Sequence, residues 1–297
     1  MNAASNARGG DGGAAGADAR ARARADTSLG ASFEPPPPPE PPAGHGLLEG
    51  RVVVVTAAAG TGIGSTTARR CLEEGAAVVV SDAHERRLGE TAEQLVAEAG
   101  GDGTERVHAL VCDVRDEAQV GALYEGALAR FGRLDACVHN AGLGGTVALV
   151  DMTDEQWDTV LDVTLTGTFR CTRAALRHLL PQRRGVIVNN ASVLGWRAQP
   201  GQAHYAAAKA GVMALTRCAA AEAAPHGVRV NAVSPSLAEH PFLNRAIPNE
   251  DLAVLRRREL YGRGAETWEV ANVIVFLASD YSSYMSGEVV SVSSQHP

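Results

Sequence analysis

Arg51–Gly64 reads RVVVVTAAAGTGIG, and its reading decides the fold. The first half, Arg51 to Thr56, is an unbroken β-branched run with no polar alternation. That pattern belongs to a strand buried on both faces, which a parallel sheet covered by helices on each side provides. The second half turns on Gly60, Gly62 and Gly64, with Thr61 and Ile63 between them. Residues without side chains allow a tight turn and close approach of a pyrophosphate, and the helix that opens there offers free N–H groups to an anion. A lone Gly-x-Gly occurs in many turns, so its weight depends on the neighbouring elements.

Outward from this stretch, Val78–Val80 forms a second apolar run that ends at Ser81-Asp82, twenty residues beyond Gly62. A carboxylate at that place accepts hydrogen bonds from ribose hydroxyls and repels a 2′-phosphate, which favours NAD. Arg86 and Arg87 are placed to reach a 2′-phosphate, so NADP stays open; Asp82 as a plain N-cap for a helix over Glu85–Ala99 fits either cofactor. Further strands are expected at Val107–Cys112, Leu134–Val138, Val186–Asn190, Val228–Val233 and Glu288–Val292, with helices at about 154–180 and 202–224. Strand-helix alternation of this kind predicts an α/β fold: a doubly wound, Rossmann-type parallel sheet of seven strands in a single domain over 47–297. Its ligand sits beyond the carboxyl ends of the strands.

One of those ends carries a chemical constellation. After Val186–Asn190 comes a loop holding Ser192, then an alanine-rich helix with Tyr205 and Lys209 four residues apart and so on one face. A phenol has a pKa of about 10, and a cation beside it in a dry pocket favours the phenolate. Ser192 both donates and accepts, so it can hold a reacting oxygen. By itself Tyr-x-x-x-Lys is most often a solvated helix face; joined to a serine loop and a nucleotide turn, it points to proton transfer at an alcohol or ketone.

Composition bounds the alternatives. A formal charge of −7 argues against nucleic acid as partner. No apolar run approaches the roughly 18 residues that span a bilayer, and no secretory signal opens the chain, so no membrane role and a cytoplasmic location are expected. Cys71, Cys112, Cys137, Cys171 and Cys218 show no metal spacing and read as reduced thiols; no metal is expected. Residues 1–46, rich in Gly, Ala and Arg and then in Pro (PPPPPEPP from Pro35), read as a disordered extension. Between Pro235 and Glu266 the periodicity breaks, with one helix expected over Asp251–Leu260. The run Arg256-Arg257-Arg258 there either meets an anionic substrate or forms a solvated helix face.

Ser192, thirteen residues ahead of Tyr205 in Tyr205-Ala-Ala-Ala-Lys209, resembles the active centre of the short-chain dehydrogenase/reductase family, and the likeness runs from about Leu47 to the end. The resemblance implies that Tyr205 exchanges the substrate proton, Lys209 lowers the tyrosine pKa and binds the nicotinamide ribose, and Ser192 orients the oxygen. It also implies a cofactor groove made with Asp113 and Val114 at the adenine, Asn140, Ala141 and Gly142 along the groove, and Pro235 beyond the sixth strand. A homotetramer or homodimer is implied too, packed through helices rich in small residues.

Four departures from the family pattern stand out. Thr164 takes the position of a catalytic asparagine, Ala57-Ala58 replace a threonine and the first glycine, Pro235-Ser236 replaces Pro-Gly with His240 near the usual threonine, and the end reads VSSQHP. His139 stands in place of the first of two asparagines and reads as a hydrogen-bonded structural residue. Together with GHGLLEGRVVVVTAAAGTGIG and FLASDYSSYMSGEVVSVSSQHP, these features resemble a narrower group, the actinobacterial dehydrogenases of late steroid-ring degradation. That likeness implies a small-molecule substrate, a cyclic hydroxyacyl-CoA thioester. Leu194, Trp196, Leu237 and Phe242 would line an apolar pocket for it, or serve as ordinary core. The runners-up are a 3-oxoacyl-thioester reductase, a sterol or sugar alcohol dehydrogenase, and, from another class, a catalytically weak dinucleotide-binding partner protein.

Overall fold

The chain is described by a computed structural model over residues 37–241, 243 and 249–295. The disorder expected of the extension therefore lies, up to residue 36, outside the described residues, as does Phe242. From Pro38 the described residues form one compact unit. The end of the proline-rich stretch is fastened to it: Arg70 donates to the Pro42 carbonyl (3.0 Å), and the Glu74 carboxylate accepts the amides of His45 (2.8 Å) and Leu47 (3.0 Å).

The sheet has seven parallel strands: β1 Val52–Thr56, β2 Ala77–Asp82, β3 Val107–Val111, β4 Ala136–His139, β5 Gly185–Asn190, β6 Val228–Pro235 and β7 Val289–Val292. Their order across it is β3-β2-β1-β4-β5-β6-β7. Side chains of a strand alternate between faces, and β1 shows what this does here. Val53 and Val55 pack with Cys71 and Leu72 of helix α1 (Ile63–Glu73), on one side of the sheet. Val54 packs on the other side, in a cluster with Leu123 and Tyr124 of the helix Glu117–Phe131. None of Val52–Val55 is more than 4% exposed. Each such valine contributes about 1.5–3 kcal/mol by leaving water, so the run specifies its own place at the centre of the sheet.

Two elements differ from the sequence reading. The helix expected over about 154–180 is Asp154–Leu161, a π-helical turn at Asp162–Thr166, then a second helix at Gly167–Gln182. The wide turn carries the fully buried Thr164, whose Oγ1 accepts from the Leu143 amide (3.0 Å) and donates to the Leu143 carbonyl (3.2 Å). Two long-range bonds to a neighbouring loop thus hold a geometry that local periodicity does not encode. The helix expected over Asp251–Leu260 runs Asn249–Arg256 instead, because Glu259 turns inward and is 4% exposed.

His139, at the end of β4, is 1% exposed and fully bonded. Its Nδ1–H donates to Asn189 Oδ1 (2.9 Å), and Nε2 accepts from the Tyr124 hydroxyl (2.8 Å). Asn189 in turn donates to Thr216 (3.0 Å). This arrangement needs the neutral ring, and burial pushes the His139 pKa from 6.5 down to about 4. The unfolded chain therefore binds the extra proton first as pH falls. Stability from this group is full above pH 6.5 and is lost between 6.5 and 4, by about 3 kcal/mol in all. His139→Asn should remove that acid limb: denaturant midpoints at pH 7 and pH 4.5 should differ less in the variant than in the wild type.

Candidate active site

The site lies where the strand order reverses, between β1 and β4, and continues past the ends of β5 and β6. One cleft of about 1000 Å³ is lined by Gly60, Thr61, Gly62 and Ile63 after β1, by Asn140 and Gly142 after β4, and by Ser192 after β5. Tyr205 and Lys209 of the helix Ala203–Ala223 line it as well, as do Leu194, Pro235 and Leu237.

The nucleotide turn has the shape its glycines permit. Gly60 has φ +89°, and a side chain at Gly60 or Gly62 would project into open space, which leaves room for a ligand against the backbone. Gly64 has a different role and does not line the cleft. A Cβ there would run into the Ala57 carbonyl and approach Asn140 Nδ2 to 2.6 Å. Ala57 itself takes the left-handed region at φ 49°, which costs a non-glycine residue about 1–2 kcal/mol. Asn140 Nδ2 donates to its carbonyl (3.1 Å) and helps hold it there.

Asp82 closes the far end of this turn, with Arg87 beside it on the cleft wall. Its Oδ2 accepts the Ala59 amide (3.3 Å) and its Oδ1 the His84 amide (2.9 Å). The N-cap alternative does not hold, since the helix begins at Glu85 with His84 in the cap position. Asp113 is turned elsewhere: Arg115 bonds both of its oxygens and holds the carboxyl below the usual carboxylate range. Asp113, Val114 and Ala141 stand outside the cleft lining. Val114 instead packs against Gly167, where a Cβ would come within 2.6 Å of it.

Ser192, Tyr205 and Lys209 are brought to one wall. Ser192 is 9% exposed, and its Oγ accepts the Leu194 amide (3.2 Å). Lys209 is 2% exposed, and Nζ donates to the Asn190 carbonyl (2.5 Å) while lying 5.5 Å from the centre of the Tyr205 ring. The electrostatics differ from the sequence expectation. Burial raises the Tyr205 phenol, opposed only by its hydrogen bond with Ser192, and Lys209 exerts no resolved pull on it. Burial also drives the lysine down, to about 8, and its ammonium is directed to a backbone carbonyl. In the protein alone, the phenol is thus kept protonated and ready to donate.

Thr164 lies behind this wall, with its hydroxyl spent on Leu143, so it does not touch the reacting groups. Its methyl group and Lys209 Nζ both face Gly142, where a Cβ would sit 3.2 Å from the ammonium. Trp196, expected in the pocket, does not line the main cleft but an adjoining depression of about 540 Å³ with Leu149 and Ala206, and Leu194 and Arg197 border both. The sequence reading missed Asn190, whose Nδ2 donates to Asn140 Oδ1 (2.7 Å) and whose Oδ1 is buried without a partner among the described residues. A polar Asn-Asn pair closing an apolar strand was its only signal.

A dinucleotide fits these residues: an open glycine cradle at a helix start, a carboxylate at the end of β2, and a buried lysine beside a phenol. The comparisons with known proteins agree. Residues 57–294 match a family model described as Enoyl-(Acyl carrier protein) reductase. The chain belongs to the short-chain dehydrogenase/reductase family, and is an oxidoreductase that interconverts an alcohol and a ketone with a nicotinamide dinucleotide. It is 66% identical over 256 residues to the (5R,7aS)-5-hydroxy-7a-methyl-1-oxo-2,3,5,6,7,7a-hexahydro-1H-indene-carboxyl-CoA reductase of Mycobacterium tuberculosis, covering 86% of this chain and 96% of that one. To the cis-4-hydroxycyclohexanecarboxylate dehydrogenase of Sinomonas cyclohexanicum it is 43% identical over 243 residues, covering 82% and 94%. Among solved structures, a short chain dehydrogenase from Mycobacterium smegmatis superposes with a TM-score of 0.77 at 60% identity, covering 88% of this chain and 99% of that one. Among the described residues, no helix is long and apolar enough to cross a membrane.

Two substitutions test this geometry. Lys209→Met should abolish turnover yet leave the fold at least as stable at pH 7 in thermal unfolding. A buried lysine lowered to about 8 costs stability wherever the unfolded chain holds the proton more tightly, which is everywhere below pH 10.5. Gly142→Ala should lower turnover by displacing the ammonium, and should leave the melting temperature within a few degrees of wild type.

Proposed function

We propose that this enzyme uses NAD to interconvert the ring hydroxyl and ring ketone of a compact alicyclic acyl-CoA. The observation that carries the reading is the convergence of Ser192, Tyr205 and Lys209 on the same cleft as the glycine turn. NAD is favoured by Asp82, which presents a carboxylate at the end of β2 where a 2′-phosphate would have to lie. The bound nicotinamide supplies or takes up the hydride. For the substrate class, both relatives named above act by their names on alicyclic alcohols bearing a carboxyl or carboxyl-CoA group.

The residues of the chain divide the remaining work. The Ser192 hydroxyl holds the substrate oxygen, and the Tyr205 phenol gives that oxygen a proton in reduction or accepts one in oxidation. Lys209, anchored on the Asn190 carbonyl, supplies the positive charge at the base of the wall and a donor for a ribose hydroxyl. Leu194 and Leu237 give the cleft apolar surface, which suits a saturated ring and excludes water. Thr164 serves as a positioning residue, fixing Leu143 and with it the loop beyond Gly142. We also infer a homo-oligomer, supported by Leu149, Trp196 and Ala206, which border one surface depression.

Absorbance of the reduced nicotinamide provides the test, with the hydroxylated indene-carboxyl-CoA and its free acid as substrates. Turnover with the thioester and little with the acid is expected; equal turnover of both would remove the thioester from the reading. Tyr205→Phe should lower kcat by roughly 10²–10⁴-fold with an unchanged Kd for NAD. Asp82→Ala should raise the KM for NAD and lower that for NADP. A wild-type enzyme that prefers NADP would overturn the role given to Asp82.

A further inference from the structure

The three consecutive arginines after residue 255 have separate fates in the structure. Arg256 is committed to an ion pair with Glu239, bonding it through Nε (2.9 Å) and through Nη2. Arg257 is exposed and does not line the cleft. Arg258 is also exposed but does line it, and its guanidinium has no ion pair or hydrogen bond among the described residues.

Its position is fixed by the next residue. Glu259 is 4% exposed, and its carboxylate accepts from the Ser236 hydroxyl (3.1 Å), the Ser294 hydroxyl (2.8 Å), the Leu237 amide (3.4 Å) and the Gln295 side chain. A buried carboxylate with several donors is expensive to displace. The turn bearing Arg258 is therefore tied both to the loop after β6 and to the chain end. Gln295 also accepts from Arg197 Nη1, which ties that cation to the same cluster, while its Nη2 is buried without a partner among the described residues.

We propose that Arg258, held in place by Glu259, receives a phosphate of the CoA moiety and so selects CoA thioesters over simpler acyl compounds. The proposal rests on the thioester reading above. A guanidinium forks onto phosphate oxygens more strongly than onto neutral acceptors. The other source of phosphate is the dinucleotide. However, the glycine turn lies after β1, whereas the anchors of Arg258 lie after β6 and β7, at least three strands across the sheet. At ~4.8 Å per strand that is about 14 Å, so the phosphate met by Arg258 is not the one held at the turn.

The experiment compares KM and kcat of the wild type, Arg258→Ala, Arg258→Lys and Arg257→Ala at low and high ionic strength. The substrates are the hydroxylated indene-carboxyl-CoA and the N-acetylcysteamine thioester of the same acid, which lacks phosphates. Arg258→Ala should raise the KM for the CoA thioester about fivefold at low salt, as expected of one partly exposed ion pair. It should leave kcat, the KM for NAD and the KM for the short thioester unchanged. Arg258→Lys should recover part of the loss, and Arg257→Ala, with the same change of charge, should show none. An unchanged KM for the CoA thioester, an equal rise for the short thioester, or a rise confined to NAD would overturn the proposal while leaving the thioester reading intact. If the wild type turns over neither thioester, the thioester reading fails and the proposal fails with it.

Discussion

A chain of hydrogen bonds from the glycine turn to the buried Lys209 is the constraint on which the site depends. The Thr56 hydroxyl at the end of β1 accepts the amides of Asn140 (3.0 Å) and Ala141 (3.3 Å). Asn140 then grips the Ala57 carbonyl, Asn190 grips Asn140, and Lys209 donates to the Asn190 carbonyl. Four segments that are far apart in sequence are thereby tied at the place where neighbouring parallel strands would otherwise simply diverge. Moving any one of them changes the distance between the glycine turn and the Tyr205–Lys209 pair.

This chain also accounts for two features that look unfavourable alone. Ala57 occupies a left-handed conformation, which is tolerable because its carbonyl is bonded by Asn140 and Gly64 leaves it room where a Cβ would collide. Lys209 is buried with its pKa depressed, a direct cost to stability, yet the Asn190 carbonyl fixes its ammonium against Gly142 and the tyrosine ring. Strain and buried charge gather where chemistry needs defined positions, as expected when function competes with stability. Elsewhere the molecule is conservative: His139 sits close by but is saturated with hydrogen bonds in its neutral form, and it adds rigidity without touching the cleft.

Departures from the family pattern therefore have local structural answers. Thr164 is shorter than the asparagine it replaces, and it spends its hydroxyl on both polar groups of Leu143 within a widened helical turn. The unusual Pro235-Ser236 and the terminal Ser294-Gln295 meet at Glu259, so the atypical segments bind one another. The replacements after β6 and at the end of the described chain thus form one coupled set through Glu259, whereas Thr164 and Ala57 are each held by their own neighbours.

By itself the sequence determined the seven-stranded parallel sheet, the glycine turn and the grouping of Ser192, Tyr205 and Lys209. Each of these is written in local terms: apolar runs of strand length, glycines at fixed offsets, and two side chains four apart on a helix. Only the tertiary structure decided that Asp113 is occupied by Arg115, that Trp196 lies outside the main cleft, that the helix near Thr164 widens, and that of three like arginines only Arg258 reaches the cleft with its charge uncommitted among the described residues. The physical reason is shared: these outcomes are set by partners brought together through the fold or by which side of a turn faces inward, and a local pattern carries no information about either.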